Sequence, residues 1–116
     1  MPQYFLLLRG DREKLLGHKG PEETQKVIER YIAWRNKPFV VGLAALTDKT
    51  GCVVEKKNGS VSVAEGPFGE YREVMGGFFT IEAESFEDAV KLSLDNPHLD
   101  FGTIEVREVP TYSISK

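Results

Sequence analysis

The sequence predicts an α+β fold, in which two helices lie on one face of an antiparallel sheet. Two apolar runs, Tyr4 to Leu8 and Phe39 to Leu46, have the pattern of strands, and Thr103 to Val109 alternates strictly. Two segments between the runs carry helix start signals, and a hairpin is inserted between the second and third strands. The order strand, helix, strand, hairpin, strand, helix, strand is the split βαβ, or ferredoxin-like, plan.

The first strand and first helix follow from local chemistry. Residues 4–8 form an apolar run that is followed by Arg9, which is typical of a strand that is covered on both faces. Pro21 suits the first turn of a helix, and Glu22 and Glu23 lie near the positive end of its dipole. The helix is expected to end before Pro38. Its apolar face comprises Val27, Ile28, Tyr31 and Trp34.

The inserted hairpin and the second helix have equally local signals. Asn58-Gly59 is a strong hairpin signal, and it predicts strands over residues 52–57 and 60–64. A further strand is expected over residues 77–83. Ser85 is a good N-cap, with Asp88 three residues later as an acidic capping-box variant. The residues expected to point inward from this helix are Phe86, Ala89, Val90 and Leu94.

Length and composition bound the function. The 116 residues are expected to form a single domain, with residues 110–116 as a polar tail that is loose or crosses to a partner subunit. A net charge of −3 argues against a nucleic-acid partner, and no apolar run approaches the ~18 residues of a membrane span. Without a basic segment before "YFLLL", a cytoplasmic location is expected.

The cysteine and histidine content predicts neither a disulfide nor a metal site. Cys52 is the single cysteine, so it has no partner within the chain, and we expect it to fill space in a strand. The two histidines, His18 and His98, are far apart and give no recognisable metal-ligand spacing. We therefore predict no metal and no cofactor.

The apolar character of the first two strands predicts assembly. Two helices cover only one face of a sheet, whereas both of these strands are apolar on both faces. An uncovered apolar face of that size is not expected on a soluble monomer. We predict a homodimer in which two sheets pack face to face, the alternative being a monomer with an exposed apolar sheet.

Four motifs carry a resemblance to a known family. "EGPF" at residues 65–68, "GGFF" at 76–79, "NPH" at 96–98 and "IEVR" at 104–107 resemble the YCII-related family, in its branch named for an Asp-Gly-Pro-Phe (DGPF) motif. The resemblance extends over nearly the whole chain. It implies a dimeric α+β barrel, and it implies little about activity. Some relatives resemble cofactor-free enzymes that act on small cyclic or aromatic compounds, and some members are encoded beside sigma factors.

The chain departs from the family at two positions that matter for chemistry. The core branch implies a His–Asp pair with the histidine on the first helix, yet residues 22–35 contain no histidine. The leading aspartate of the motif is replaced by Glu65, a longer carboxylate. Both departures weaken the transfer of the family's catalytic pair to this chain.

Two residues are candidates for acid–base catalysis. Glu65 can act as a general base if it is desolvated, or it can accept backbone N–H groups in a turn. His98 lies two residues before Asp100, and a histidine beside a carboxylate can shuttle protons near neutral pH. The alternative for His98 is a loop residue after a helix end.

Four residues are candidates for ligand binding. Arg107 shares a face of the last strand with Glu105 and is expected to point into the space between two sheets. There it can bind a ligand carboxylate or form an ion pair at the dimer interface. Arg9 is a second possible anion contact. Tyr71 can form a lid or a solvated surface, and Phe68 can contact a ligand or plug the core.

Three functions remain open from the sequence. The first is binding of a small anionic or aromatic molecule in a cleft between the sheet and a partner subunit. The second is a cofactor-independent lyase or isomerase acting on a small cyclic substrate, with Glu65 or His98 as the acid or base. The third is a regulatory interaction module linked to transcription control. The enzyme requires a cleft of a few hundred Å³, faced by at least two of Glu65, His98 and Arg107.

Overall fold

The computed structural model describes residues 1–11, 20–47, 50–65 and 73–111. The elements follow the predicted order: β1 (Gln3–Asp11), α1 (Pro21–Arg35), β2 (Val40–Ala45), β3 (Cys52–Lys57), β4 (Ser60–Glu65), β5 (Glu73–Glu82), α2 (Phe86–Ser93), a 3-10 turn (Pro97–Asp100) and β6 (Thr103–Val109). Within the described ranges, no helix is both long and apolar enough to cross a membrane. The described helices and the antiparallel strands confirm the predicted α+β class.

Four strands form an antiparallel sheet in the order β2-β5-β1-β6, and β3 and β4 form a separate two-stranded sheet. The central strand β1 places Leu6 opposite Phe79 of β5 and Val106 of β6. If the inserted hairpin is left out, this strand order is compatible with a ferredoxin-like fold.

The two faces of the sheet differ in their covering. Along β1, Tyr4, Leu6 and Leu8 are buried in the core, whereas Phe5 and Leu7 point to the opposite face and are half-buried. The core is completed by Trp34, Phe79, Ile81, Ala83 and Ala89. β1 is therefore apolar on both faces, as predicted. We call the face that carries Phe5 and Leu7 the open face.

The helix α1 is held mainly through its C-terminal half. Trp34 is buried, and its ring meets Phe79 edge-on with 4.8 Å between the centroids. The Trp34 Nε1–H donates to Asp95 Oδ1 at 2.9 Å. Residues 21–26 are exposed, so the first turns of α1 contribute little to the core. This one-sided attachment leaves space between α1 and the sheet.

The start of α2 is as predicted, whereas part of its predicted inward face is wrong. Ser85 accepts a hydrogen bond from the Asp88 backbone N–H at 3.1 Å. Ala89 is buried, but Phe86 is 49% exposed and Leu94 is 66% exposed. Phe86 is the first residue of the helix and Leu94 is its C-cap, so the two exposed side chains lie at the ends of α2 and not on its buried middle turn.

The hairpin β3–β4 has the predicted turn, but its strands are largely exposed. Asn58 and Gly59 both have positive φ, at 51° and 82°, as the tight hairpin turn requires. Val61 and Val63 are more than 60% exposed, and Cys52 is exposed. The expectation that Cys52 fills space in a strand is wrong, because these two strands form a sheet of their own.

Candidate functional site

A cleft of about 650 Å³ lies between α1 and the helix-covered face of the sheet. Thr24, Ile28, Tyr31, Ile32 and Arg35 line it from α1. The opposite wall is formed by Leu8 of β1, residues 43–46 at the end of β2 and residues 74–79 of β5, and His98 contributes from the 3-10 turn.

The lining of the cleft is mainly apolar and partly open to solvent. Five large apolar side chains that line it are between 39% and 46% exposed: Ile28, Ile32, Leu43, Leu46 and Met75. Apolar surface gathered in a concavity of several hundred Å³ is typical of a small-molecule site. The exposed apolar residues of α1 are therefore explained by the cleft that they face.

A glycine pair shapes the sheet wall of the cleft. β1 pairs Leu8 with Gly77 and Arg9 with Met75, so Gly76 is the extra residue of a bulge. A Cβ on Gly77 would lie 2.5 Å from the Ala44 carbonyl oxygen, which is too close for any other residue. A bulge and the close approach of the β2 backbone therefore explain the glycine pair.

The main polar group of the cleft is a pair formed by Tyr31 and His98. The Tyr31 hydroxyl lies 3.0 Å from His98 Nδ1, and His98 Nε2 lies 2.8 Å from the Arg9 carbonyl oxygen. Only 2% of His98 is exposed. Burial lowers the pKa of His98, so the imidazole is neutral at neutral pH. Burial also raises the pKa of Tyr31 to about 12, so its phenol is protonated there.

The local sequence around His98 fixes its position. Asn96 accepts a hydrogen bond from the His98 backbone N–H at 2.9 Å, and Pro97 follows as the first residue of the 3-10 turn. Gly102 allows the turn to approach β1, because a Cβ there would lie 2.1 Å from the Arg9 carbonyl oxygen. That Cβ would also lie 3.0 Å from His98 Nε2. The "NPH" motif thus places a buried histidine at the wall of the cleft.

One permanent charge is found among the described lining residues, on Arg35. It follows Tyr31 by four positions, which places both side chains on the same side of α1. Sequence reasoning missed Arg35 as a site residue. The available signal was its place in the series Thr24, Ile28, Tyr31 and Arg35, which recurs on one helical face.

Arg9 and Arg107 lie on the open face, away from the cleft. Arg9 Nη1 lies 2.7 Å from Glu105 Oε1, and Arg107 Nη1 lies 3.0 Å from Glu105 Oε2. Hydrogen bonds from Arg9, which has the larger effect, and from Arg107 lower the pKa of Glu105. Arg107 thus shares a face of β6 with Glu105, as predicted, and both arginines pair with that carboxylate.

The remaining candidates are not brought together with His98. Asp100, considered as its neighbour in proton transfer, forms an ion pair with Arg30 instead. Glu65 is the last residue of β4 and pairs with Cys52, and its side chain lies outside the described part. Phe68 and Tyr71 lie outside the described residues altogether. Within the described ranges, no group of three His, Cys, Asp or Glu side chains could hold a metal ion.

Comparison with known protein families gives a match to the YCII-related domain over residues 3–113. The match includes all six strands, both helices and the 3-10 turn that carries His98. No curated protein matches the sequence.

Proposed function

The chain belongs to the YCII-related family, and we propose that it binds a small, mainly apolar or aromatic anion in the cleft between α1 and the sheet. The observation that carries this proposal is the cleft itself. Its volume of about 650 Å³ lies within the range of small-molecule sites, and its apolar walls are partly open to solvent.

The charge of the cleft supports an anionic ligand. Arg35 is the only permanently charged residue among the described lining residues, and it can pair with a carboxylate, sulfonate or phosphate group. The ring of an aromatic ligand would then lie against Ile28, Ile32 and Leu43. The ligand expected from the sequence, small and anionic or aromatic, is kept, but the proposed site is on the helix-covered face and not between the sheet and a partner.

The open face supports a homodimer of the α+β barrel type. Phe5 and Phe78 stack there with 5.1 Å between their centroids, beside Leu7. No described helix covers these side chains, and a second copy of the same face would remove them from water.

We also propose that the chain belongs to the DGPF branch of the family, because it contains the sequence Gly66-Pro67-Phe68.

The residue positions favour binding over the lyase or isomerase reaction. That reaction was expected to place at least two of Glu65, His98 and Arg107 at one cleft. His98 lines the cleft beside α1, whereas Arg107 points to the open face. The description of Glu65 does not extend to its side chain. Two of the three groups therefore face opposite sides of the same sheet.

A fluorescence titration with anilinonaphthalene sulfonate tests the proposal, because this probe combines an aromatic body with one anionic group. We expect saturable binding of one probe per chain. Arg35→Gln should weaken binding about fivefold, the effect of removing one partly exposed ion pair. Arg107→Gln is the matched control and should leave the affinity unchanged.

The opposite pattern, loss of affinity in Arg107→Gln but not in Arg35→Gln, would place the site on the open face. Absence of saturable binding would reject the proposal. The natural ligand can then be sought by native mass spectrometry of the freshly purified protein, with anilinonaphthalene sulfonate as the competitor that should displace it.

A further inference from the structure

We infer that the Tyr31–His98 pair is a subsite for a hydrogen-bond donor, so the ligand is an apolar or aromatic anion that also carries a hydroxyl or N–H group. This inference rests on the proposed function. The ligand would then carry two polar groups: an anionic group that Arg35 binds and a hydrogen-bond donor that meets the Tyr31–His98 pair.

The first step is the position of the imidazole proton. His98 Nε2 lies 2.8 Å from the carbonyl oxygen of Arg9. A carbonyl oxygen can only accept a hydrogen bond, so Nε2 must carry the hydrogen. The neutral imidazole has one N–H group, and its Nδ1 therefore presents a lone pair.

The second step is the direction of the Tyr31 hydrogen bond. The Tyr31 hydroxyl lies 3.0 Å from His98 Nδ1. Since Nδ1 presents a lone pair, the hydroxyl must donate its hydrogen to it. The phenolic oxygen is then left with acceptor capacity only. A ligand group that meets this oxygen forms a hydrogen bond if it is a donor and is repelled if it is an acceptor.

The third step is that the phenol is held in this orientation before a ligand arrives. The Tyr31 ring stacks on Phe101 at 6.5 Å and contacts the His98 ring at 6.3 Å between centroids. The nearby charges of Arg30 and Asp100 are paired with each other. A polar group that is already oriented costs little to use in binding, and it selects strongly among ligands.

The test compares three ligands of one shape: naphthalene sulfonate, its hydroxyl-substituted isomers, and the matching methoxy derivatives. Sulfonate remains ionised throughout, so the three classes differ only at the second group. In the wild-type protein, at least one hydroxyl isomer should bind about three- to tenfold more tightly than naphthalene sulfonate. The methoxy derivative of that isomer should show no gain, because it cannot donate.

Tyr31→Phe should abolish the hydroxyl preference while naphthalene sulfonate itself still binds, which shows that the cleft remains intact in the variant. The inference is overturned if the methoxy and hydroxyl derivatives bind equally, if no hydroxyl isomer gains, or if the preference persists in Tyr31→Phe. The proposed function fails separately, if naphthalene sulfonate does not bind the wild-type protein at all.

An NMR measurement of the histidine tautomer tests the first step without any ligand or variant of the pair. The chain has only two histidines, so a His18→Gln variant assigns the signals of His98. The long-range nitrogen–proton couplings should show that Nε2 carries the hydrogen near neutral pH. A hydrogen on Nδ1 would reverse the Tyr31 bond and overturn the inference.

Discussion

The Tyr31 hydroxyl lies 3.0 Å from His98 Nδ1, and the two residues are 67 positions apart in sequence. With the Arg9 carbonyl on its other nitrogen, His98 connects α1, the 3-10 turn and β1 through one ring. The group that gives the cleft its polarity therefore also joins the elements that form the cleft. Changes at this joint should affect stability and binding together.

The burial of neutral His98 should make stability depend on pH. Its pKa is lowered in the folded protein relative to the ordinary 6.5, so the unfolded chain binds the proton more readily. This contribution to stability is fully present above that value and is lost as the pH falls below it. We expect urea unfolding at fixed protein concentration to give a free energy that decreases from about pH 7.5 to about pH 5.5.

The matched variant for this prediction is His98→Asn, which does not titrate in that range. Its free energy of unfolding should be lower overall but flatter across the same pH interval. Asp95 and Glu105, whose pKa values are also lowered, lose their contributions only at more acidic pH. Equal slopes in the two proteins would contradict a buried neutral histidine.

The attachment of α1 depends on a hydrogen bond from a buried indole. Asp95 and Asp100 have side chains that are each 62% exposed, and each pairs with a basic residue, Lys37 and Arg30 respectively. Only Asp95 also accepts from Trp34, which is 3% exposed. Asp95→Ala should therefore lower the free energy of unfolding by about 1–3 kcal/mol, because it leaves a buried donor unpaired.

Asp100→Ala is the control, since it removes an exposed ion pair and should cost at most about 1 kcal/mol. Both values are obtained from urea denaturation followed by the fluorescence of the single tryptophan. If the two variants are equally stable, the bond from Trp34 does not anchor the helix.

Close packing at Gly102 should make it intolerant of any side chain. A Cβ there would lie 2.1 Å from the Arg9 carbonyl oxygen, so either β1 or the turn must move. We expect Gly102→Ala to cost about 2–3 kcal/mol and to disturb the bond between His98 Nε2 and Arg9. Thermal denaturation measures the first effect, and the imidazole nitrogen shifts of His98 measure the second.

Gly20→Ala is the comparison for that substitution, because a Cβ at Gly20 meets no atom within 4 Å. It should cost only about 0.5–1 kcal/mol, the usual effect of alanine at a helix N-cap. A Gly102→Ala variant as stable as Gly20→Ala would show that the turn is not packed against β1 as described.

The proposed dimer should depend on the open face. Leu7→Lys places a charge beside Phe78, its β5 neighbour, where a second sheet would exclude water. We expect the wild-type protein to sediment as a dimer at micromolar concentration and Leu7→Lys as a monomer. Leu94→Lys, at a site that is 66% exposed, should remain dimeric. A monomeric wild-type protein, or a dimeric Leu7→Lys, would contradict the proposed interface.

Much of the fold could be predicted because turns and strand alternation are determined by residues that are neighbours in sequence. Asn58-Gly59 predicted the hairpin turn through positive φ, and the alternation of β6 predicted that Glu105 and Arg107 share a face. Patterns do not report which faces are covered. Val61 and Val63 alternate as a half-buried strand does, yet they are exposed within the chain because β3 and β4 do not join the main sheet.

The candidate site could be predicted only in part. His98 was identified as a titratable residue, but its partner was not, since the contact with Tyr31 depends on how the 3-10 turn packs on α1. Arg35 was missed because a single arginine in the last turn of a helix looks like a solubilising charge. Its role depends on the space left between α1 and the sheet, which no local pattern encodes.

The most direct test of the central claim is amide chemical-shift mapping of the labelled protein during titration with naphthalene sulfonate. Binding in the cleft predicts that the largest shifts occur in α1 around Ile28 and Ile32 and in residues 43–46, with little change at Leu7 and Arg107 on the open face. Shifts concentrated at Leu7 and Arg107, with α1 unaffected, would contradict a binding site between α1 and the sheet.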